Sequence, residues 1–535
     1  MNKFLKGAAI LGLAGIIVKV MGVFFRIPIT LWVGADGLSY YSSVYQIYTF
    51  LLILSTAGFP VAISRMVSER IAVKNYGGAH KVFTTSVWLM TVIGVVFFCL
   101  FFFGAKFIEN VVLDAPGTLP SIKAIAPALL LVPIMSAYRG YFQGRQNMNP
   151  TASSQFMEQL FRVGGGLLLA HAMISAGNEY VSAGATFGCS LGSFAGLATV
   201  VFIYIMSRKK INHQIDANIA YEAKEDTGYI VKRILAIAIP ITIGASVLPL
   251  VNAIDAMMVM RRLQDTGWSY IQAKALWGRL GGYCDSLIGL PQAFISAIAM
   301  SLVPAISASH KLGNKIEEAD NMKLAMRVAM MIGLPCAAGI FSLAHPILSL
   351  LYPTAERAQE VLEAAPTLQL MCLIVAFMSI IQTLTGALQG IGRQGRPVRN
   401  IAIGAIFKII LTYVLVGIKA INVNGACIAT IVCYIIAATL DIRDVKKYAG
   451  VTFEPVLTYV KPLASSVIMG AVAFGIHKLV FMIVKSNAIA TFVAIIAGVI
   501  VYAALILFTK AITVDEIRRL PKGDKLANII IKFVK

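Results

Sequence analysis

Fourteen windows of roughly 20 apolar residues dominate this chain, and they constrain its fold more than any motif does. They lie near 7–33, 41–64, 83–105, 122–143, 155–177, 181–207, 230–260, 282–307, 323–345, 366–390, 398–418, 424–442, 457–480 and 488–510. In lipid every backbone N–H and C=O must be satisfied within the chain, so windows this long predict spanning helices. The least regular stretch is 261–285, where WSYIQAKALWGRLGGY is too polar to face lipid throughout. The expected fold class is an all-α polytopic membrane protein of about fourteen transmembrane helices.

Charge supports this. Only 13% of residues are charged, and the net charge of +21 is distributed between the apolar blocks. That pattern reads as membrane topology, and no nucleic-acid partner is expected. With a cytoplasmic N-terminus, roughly thirty of the 46 basic residues fall in inside loops, including Arg208-Lys209-Lys210, Arg393, Arg396 and Lys446. The opposite loops carry Asp36, Glu109, Asp114, Glu179 and Glu356. Arg261, Arg262, Lys274 and Arg279 are the exceptions on that side. Both termini are expected in the cytoplasm. The opening MNKFLKGAAILGLAG reads as a retained first helix. The seven cysteines form no CxxC pair, so neither metal nor disulfide is expected, and no cofactor.

One passage is written twice. YFQGRQNMNP (141–150) returns as ALQGIGRQGRP (387–397), with Gln143 and Gln389 246 residues apart. The same offset relates Gly140 to Gly386, Gly144 to Gly390, Phe161 to Phe407 and Arg162 to Lys408. PVAISRM (60–66) returns as PAISASH (304–310), Ser64 and Ser307 standing 243 apart. The only long hydrophilic connection, 208–228, separates the copies. The expected organisation is an N-lobe of helices one to six (1–207), a cytoplasmic linker (208–228), a C-lobe of helices seven to twelve (229–448), and helices 13–14 with a basic tail (449–535). An even-numbered repeat makes the lobes parallel, related by an axis along the membrane normal. The repeated passage is expected as a tight turn, with Gly144 and Gly390 ending a helix in the left-handed conformation. Pro150 and Pro397 would open the next helix.

Two parallel lobes can rock about a cleft and expose it to each face in turn, which is a transporter's geometry. Charges tolerated inside the membrane should mark what is carried. Lys19 and Arg26 lie seven residues apart on one face of the first helix and are expected to line a polar cavity. Arg65 and Glu69, at the end of the second helix, read equally as snorkelling residues or site residues. Glu158 lies one turn before Arg162, which predicts an i,i+4 pair. A basic first lobe suits an anion, with a pyrophosphate as the leading candidate. Asp255, with Asn252 nearby, is a candidate site for a coupling Na⁺ or H⁺, against a structural hydrogen-bonding role. The small residues of LASSVIMGAVAFG in the thirteenth helix suit close packing, and the added pair offers a side groove for a lipid tail.

RGYFQGRQNMNPTASSQ, GFPVAISRMVSE and SLVPAIS together resemble the polysaccharide-transport branch of the multidrug/oligosaccharidyl-lipid/polysaccharide exporter superfamily. Within it the chain looks most like the Gram-positive group of stage V sporulation protein B and MurJ-type lipid II flippases. The resemblance implies a V-shaped, MATE-like fold of fourteen helices, with 13 and 14 outside the repeat. It implies outward flipping of an undecaprenyl-pyrophosphate-linked saccharide across the bacterial cell membrane, lipid II first, by alternating access. By motif, Arg26 matches a first-helix arginine and Lys19 approximates another. Arg65 and Glu69 match an arginine-to-glutamate pair. Ser286 stands where the eighth-helix arginine is found, and Arg279, two turns earlier, is the candidate substitute. A lipid-linked pyrophosphate saccharide and the bilayer are the expected partners, and a monomer the expected state. The alternatives are an ion-coupled multidrug exporter, a flippase for another polysaccharide precursor, and a membrane glycosyltransferase. The last would need clustered acids or a metal motif, and the sequence has no HExxH, DxD or Gly-rich phosphate loop.

Overall fold

The computed structural model describes residues 3–218, 225–285, 287–289, 291–292, 295–296, 306–307, 309–310 and 312–511, with side chains from residue 21 onward except Val23. Every regular element among them is helical. In chain order the main helices are α1 (Lys3–Thr56), α2 (Phe59–Ala72), α3 (Tyr76–Phe103), α4 (Leu119–Gly144), α5 (Asn149–Ala172), α6 (Asn178–Asp216), α7 (Thr227–Asp265) and α8 (Tyr270–Gly278). There follow α9 (Lys315–Ser342), α10 (Ala344–Leu351), α11 (Ala358–Gly390), α12 (Gly395–Val416), α13 (Asn424–Ala449), α14 (Lys461–Val484) and α15 (Asn487–Phe508).

Among the described residues, eleven stretches are long and apolar enough to span a membrane. They differ from the fourteen expected windows at three places. The windows 7–33 and 41–64 join in one apolar stretch, Phe24–Ala72. The window 155–177 forms α5, but Gln155, Glu158, Gln159 and Arg162 leave it too polar to count. Half of the window 282–307 lies outside the described residues.

Two breaks shape the first stretch. Gly34 (φ 63, ψ −170) interrupts α1 between the arms 3–33 and 35–56. This backbone state is essentially open only to glycine. At 57–58 the chain breaks again before α2. There the Gly58 N–H donates to Thr242 Oγ1 at 3.0 Å. A Cβ on Gly58 would stand 2.1 Å from the Ala238 carbonyl, so only glycine lets α2 and α7 cross so closely. On α6, glycines at 184, 188, 192 and 196 bring it onto α5, as small residues do between membrane helices.

Packing divides the chain into two compact units. Unit 1 is Met1–Gly282 with Ile409–Ala426; unit 2 is Tyr283–Lys408 with Cys427–Lys535. The expected boundaries at 207 and 229 mark a sequence repeat, whereas these units mark packing. In unit 1, Ile63, Met66 and Val67 of α2 bury against Phe83 and Met90 of α3, Tyr141 of α4 and Ile234 of α7. In unit 2, Met326 and Met330 of α9 bury against Leu384 and Leu388 of α11 and Val445 of α13.

The turns recur as the repeated sequence recurs. After α4, Gln146 and Asn147 donate to the carbonyls of Gln143 and Phe142. After α11, Gly392 and Arg393 donate to those of Gln389 and Leu388. These are paired Schellman caps. The left-handed residues are Gln146 (φ 56) and Gly392 (φ 75), again 246 apart, and not Gly144 and Gly390 as expected. Gly144 serves close approach instead: a Cβ there would stand 2.7 Å from the Ser64 carbonyl. In unit 2 the Ser307 hydroxyl donates to the Gly390 carbonyl at 3.0 Å. The two stretches of each sequence copy therefore meet in space. Pro150 and Pro397 do sit in the first turns of α5 and α12. A second turn also recurs: Lys74 and Gly313 are left-handed, and Asn75 and Asn314 cap α3 and α9.

Candidate functional site

Tyr41, Tyr45 and Tyr48 of SYYSSVYQIY occupy one face of the second arm of α1. Tyr41 and Tyr45 stack with centroids 5.4 Å apart, and Tyr45 and Tyr48 lie 5.9 Å apart. Sixteen residues of continuous helix would separate Phe25 from Tyr41 by about 24 Å. Their rings are 6.1 Å apart, because Gly34 folds one arm against the other.

Two half-buried arginines meet this fan. Arg162 of α5 donates to the Tyr41 hydroxyl at 3.4 Å, and its guanidinium lies 5.1 Å from the Tyr45 centroid. Arg26 lies 6.0 Å from the Tyr41 centroid and donates to the Gly281 carbonyl at 2.8 Å. A ring face and a carbonyl stabilise a cation without neutralising it. This side therefore keeps positive charge available to an anion.

Gly281 belongs to a π-helical turn, Arg279–Cys284, that continues α8. This segment docks on the second arm of α1 at backbone distance. A Cβ on Gly278 would lie 1.7 Å from the Ala35 carbonyl, and one on Gly282 1.7 Å from Leu38. Trp277 Nε1 donates to Ser43 at 3.1 Å. Lys274 is 6% exposed; its Nζ stands 3.4 Å from Asp36 and 3.6 Å from the Tyr40 centroid. The polar stretch 261–285 is thus accounted for up to Gly282. Its cations meet the acids expected on the same membrane side, Lys274 at Asp36 and Arg261 at Asp114.

The structure brings Arg26 to the turn that Arg279 opens. Lys19 lies on α1, but its side chain is outside the described residues, as is Ser286 entirely. Arg65 lies in the middle of α2, not at its end, and forms a separate cluster. Its bond to Glu69 is 3.0 Å, and Glu69 also takes Arg233 at 2.7 Å. Arg65 is 64% exposed, so its pairing contributes about 0–1 kcal/mol. Asp255 is buried while Asn252 is exposed. The expected Glu158–Arg162 pair is replaced. The tight turn at 145–149 sets α4 beside α5, and Glu158 takes Arg139 at 2.8 Å, leaving Arg162 to the tyrosines. Sequence reasoning missed the tyrosine fan and the Lys274–Asp36–Tyr40 contact. The i, i+4, i+7 spacing of Tyr41, Tyr45 and Tyr48 was the available signal.

Unit 2 holds a cavity of about 500 Å³ of opposite character. Its walls come from α9, α14 and α15, with Met331, Ile340, Met469, Ala473, Gly498 and Val499 among them. The one hydroxyl on the wall, Tyr502, donates to the Met331 carbonyl at 3.0 Å.

Many helices long and apolar enough to span a membrane, with cations held at tyrosines inside one unit and an apolar cavity in the other, describe a multi-pass membrane protein. The chain belongs to the family described as polysaccharide biosynthesis protein, which it matches over residues 4–310, and residues 281–414 match the MatE family. It is 27% identical to stage V sporulation protein B of Bacillus subtilis (strain 168), over 97% of this chain and 98% of that one. It is 29% identical to the lipid II flippase MurJ of the same organism, over 88% and 87%. Among solved structures, lipid II flippase MurJ in an inward closed conformation superposes with TM-score 0.72 at 16% identity, covering 93% of this chain and 98% of that one. An inward-facing multidrug resistance MATE transporter of the MOP superfamily gives 0.65 at 14%, covering 82% and 98%. The fold is that of the MOP superfamily.

Proposed function

We propose that this protein flips an undecaprenyl-pyrophosphate-linked saccharide, with lipid II the leading candidate, from the inner to the outer leaflet of the bacterial cell membrane. Transport proceeds by alternating access of two repeat-related six-helix lobes, with both termini cytoplasmic and the protein a monomer. The observation that carries the reading is the pair Arg26 and Arg162, held over Tyr41 and Tyr45 and still positively charged. A pyrophosphate is the anion such a guanidinium pair suits best. The apolar cavity of α9, α14 and α15 supports the same reading, because it offers an isoprenoid chain a site that needs no polar partner. Arg279 and Lys19 would extend the cationic wall, and Arg65 with Glu69 would guard its approach. Asp255 and Asn252 would hold the coupling Na⁺ or H⁺. Similarity to a MurJ at 29% identity supports the substrate class.

Native mass spectrometry tests this. Wild type and the Arg26→Ala/Arg162→Ala variant are offered lipid II, undecaprenyl phosphate and a lipophilic cationic dye together. Retention of lipid II by the wild type and its loss from the variant are expected. Retention of the dye without lipid II would overturn the reading in favour of a drug exporter.

A further inference from the structure

In unit 2, a polar network joins α12 to α13. Asn400 is fully buried, and its Nδ2 donates to Asp441 Oδ1 at 2.7 Å and to Asp444 Oδ2 at 3.0 Å. Arg399 Nη2 reaches the same Asp444 oxygen at 3.0 Å and Asn400 Oδ1 at 2.8 Å. Arg399 therefore balances Asp444, and Asn400 is neutral. The charge of Asp441 is left over. Asp441 is 1% exposed, and its Oδ2 accepts no hydrogen bond. One turn to either side, Ala438 and Val445 pack into the apolar cluster of Leu384 and Leu388, so α11 supplies no counter-charge there. A buried carboxylate with one unsatisfied oxygen is among the costliest groups a membrane helix can carry.

The first sequence copy has no such surplus. Ser154 stands 246 residues before Asn400 and is equally buried. Its hydroxyl donates to the Gly196 carbonyl at 2.8 Å, and Ala195 stands 246 before Asp441. The cation there, Arg139, is matched by Glu158. Among the described residues, the second copy carries a buried carboxylate that no cation pairs.

We propose that Asp441 anchors a site for one monovalent cation, Na⁺ or a proton, supported by Asn400 and Asp444. This site is distinct from Asp255, which lies in unit 1. Either occupant supplies the missing positive charge and fills the open side of Oδ2. Both join α12 to α13 through one carboxylate.

Thermal unfolding of the full-length protein in detergent distinguishes them, with NaCl against choline chloride at about pH 6 and about pH 8.5, either side of neutrality. Wild type is compared with Asp441→Asn and Asn400→Ala. If Na⁺ is the ligand, NaCl raises the wild-type midpoint at the higher pH and leaves Asp441→Asn unchanged. Asn400→Ala then needs about tenfold more Na⁺ for half its effect, since groups that orient a ligand typically weigh that much. If a proton is the ligand, NaCl has no effect and acidification raises the midpoint of wild type but not of Asp441→Asn. The proposal is overturned if wild type responds to neither, or if Asp441→Asn keeps the wild-type response. Should Asp441→Asn fail to accumulate, Asn400→Ala decides alone. An unchanged Na⁺ half-saturation together with an unchanged pH response would then overturn it.

Discussion

The tyrosine fan of unit 1 and the apolar cavity of unit 2 are of opposite character. Unit 1 sets Arg26, Arg162 and Lys274 against tyrosine rings, where the cations stay charged within reach of apolar walls. Unit 2 opens a cavity where the one hydroxyl among the described lining residues is already bonded to the backbone. A cation over a ring face suits an anionic group and an apolar wall suits hydrocarbon, so the two places solvate different chemistry. The comparison teaches that the repeated turns keep one geometry, whereas the cavity draws two of its walls from α14 and α15, which lie outside the repeat.

The most severe way to break the comparison is Gly278→Ala. Its Cβ would stand 1.7 Å from the Ala35 carbonyl, and backbone cannot yield as a side chain does. A loss of about 3 kcal/mol is expected, read as a collapse of the monodisperse peak in size-exclusion chromatography. The Arg26→Ala/Arg162→Ala variant should keep its fold and lose affinity for a pyrophosphate lipid by about 100-fold or more, each charge-assisted bond contributing about 1.5–3 kcal/mol. Its affinity for uncharged polyprenol should not change. Gly498→Phe works the other way. It projects into the apolar cavity and should weaken polyprenol binding about tenfold while leaving a soluble pyrophosphate sugar unaffected. The smallest effects test the repeated turn. Gln146→Gly relieves a left-handed non-glycine residue and should stabilise by about 1 kcal/mol, whereas Gly392→Ala should destabilise by about as much. Thermal midpoints of the two variants moving in the same direction would contradict the shared cap geometry.

Much of this was legible in the sequence. Apolar windows located the helices because lipid leaves a backbone few choices. The 246-residue offset located two caps with the same hydrogen bonds, Gln146 to Gln143 and Gly392 to Gln389. Local rules failed where tertiary contacts chose between partners. Glu158 had Arg162 one turn away, yet took Arg139 from the neighbouring helix. Gly144 looked like a cap and proved to be a contact with Ser64, since a glycine in a sequence does not say whether it is needed for its torsions or for its missing side chain. The tyrosines of α1 reach Phe25 and Arg26 only through one backbone torsion, which no periodicity encodes.

That torsion also sets how the chain fits the bilayer. Continuous helix from Lys3 to Thr56 would be about 80 Å long, more than twice the roughly 30 Å of hydrocarbon it has to cross. Gly34 breaks a rod longer than any bilayer core into two arms that fold back on each other. Any residue with a side chain at position 34 would have to leave this backbone state, so the length match of both arms to the bilayer rests on a single missing Cβ.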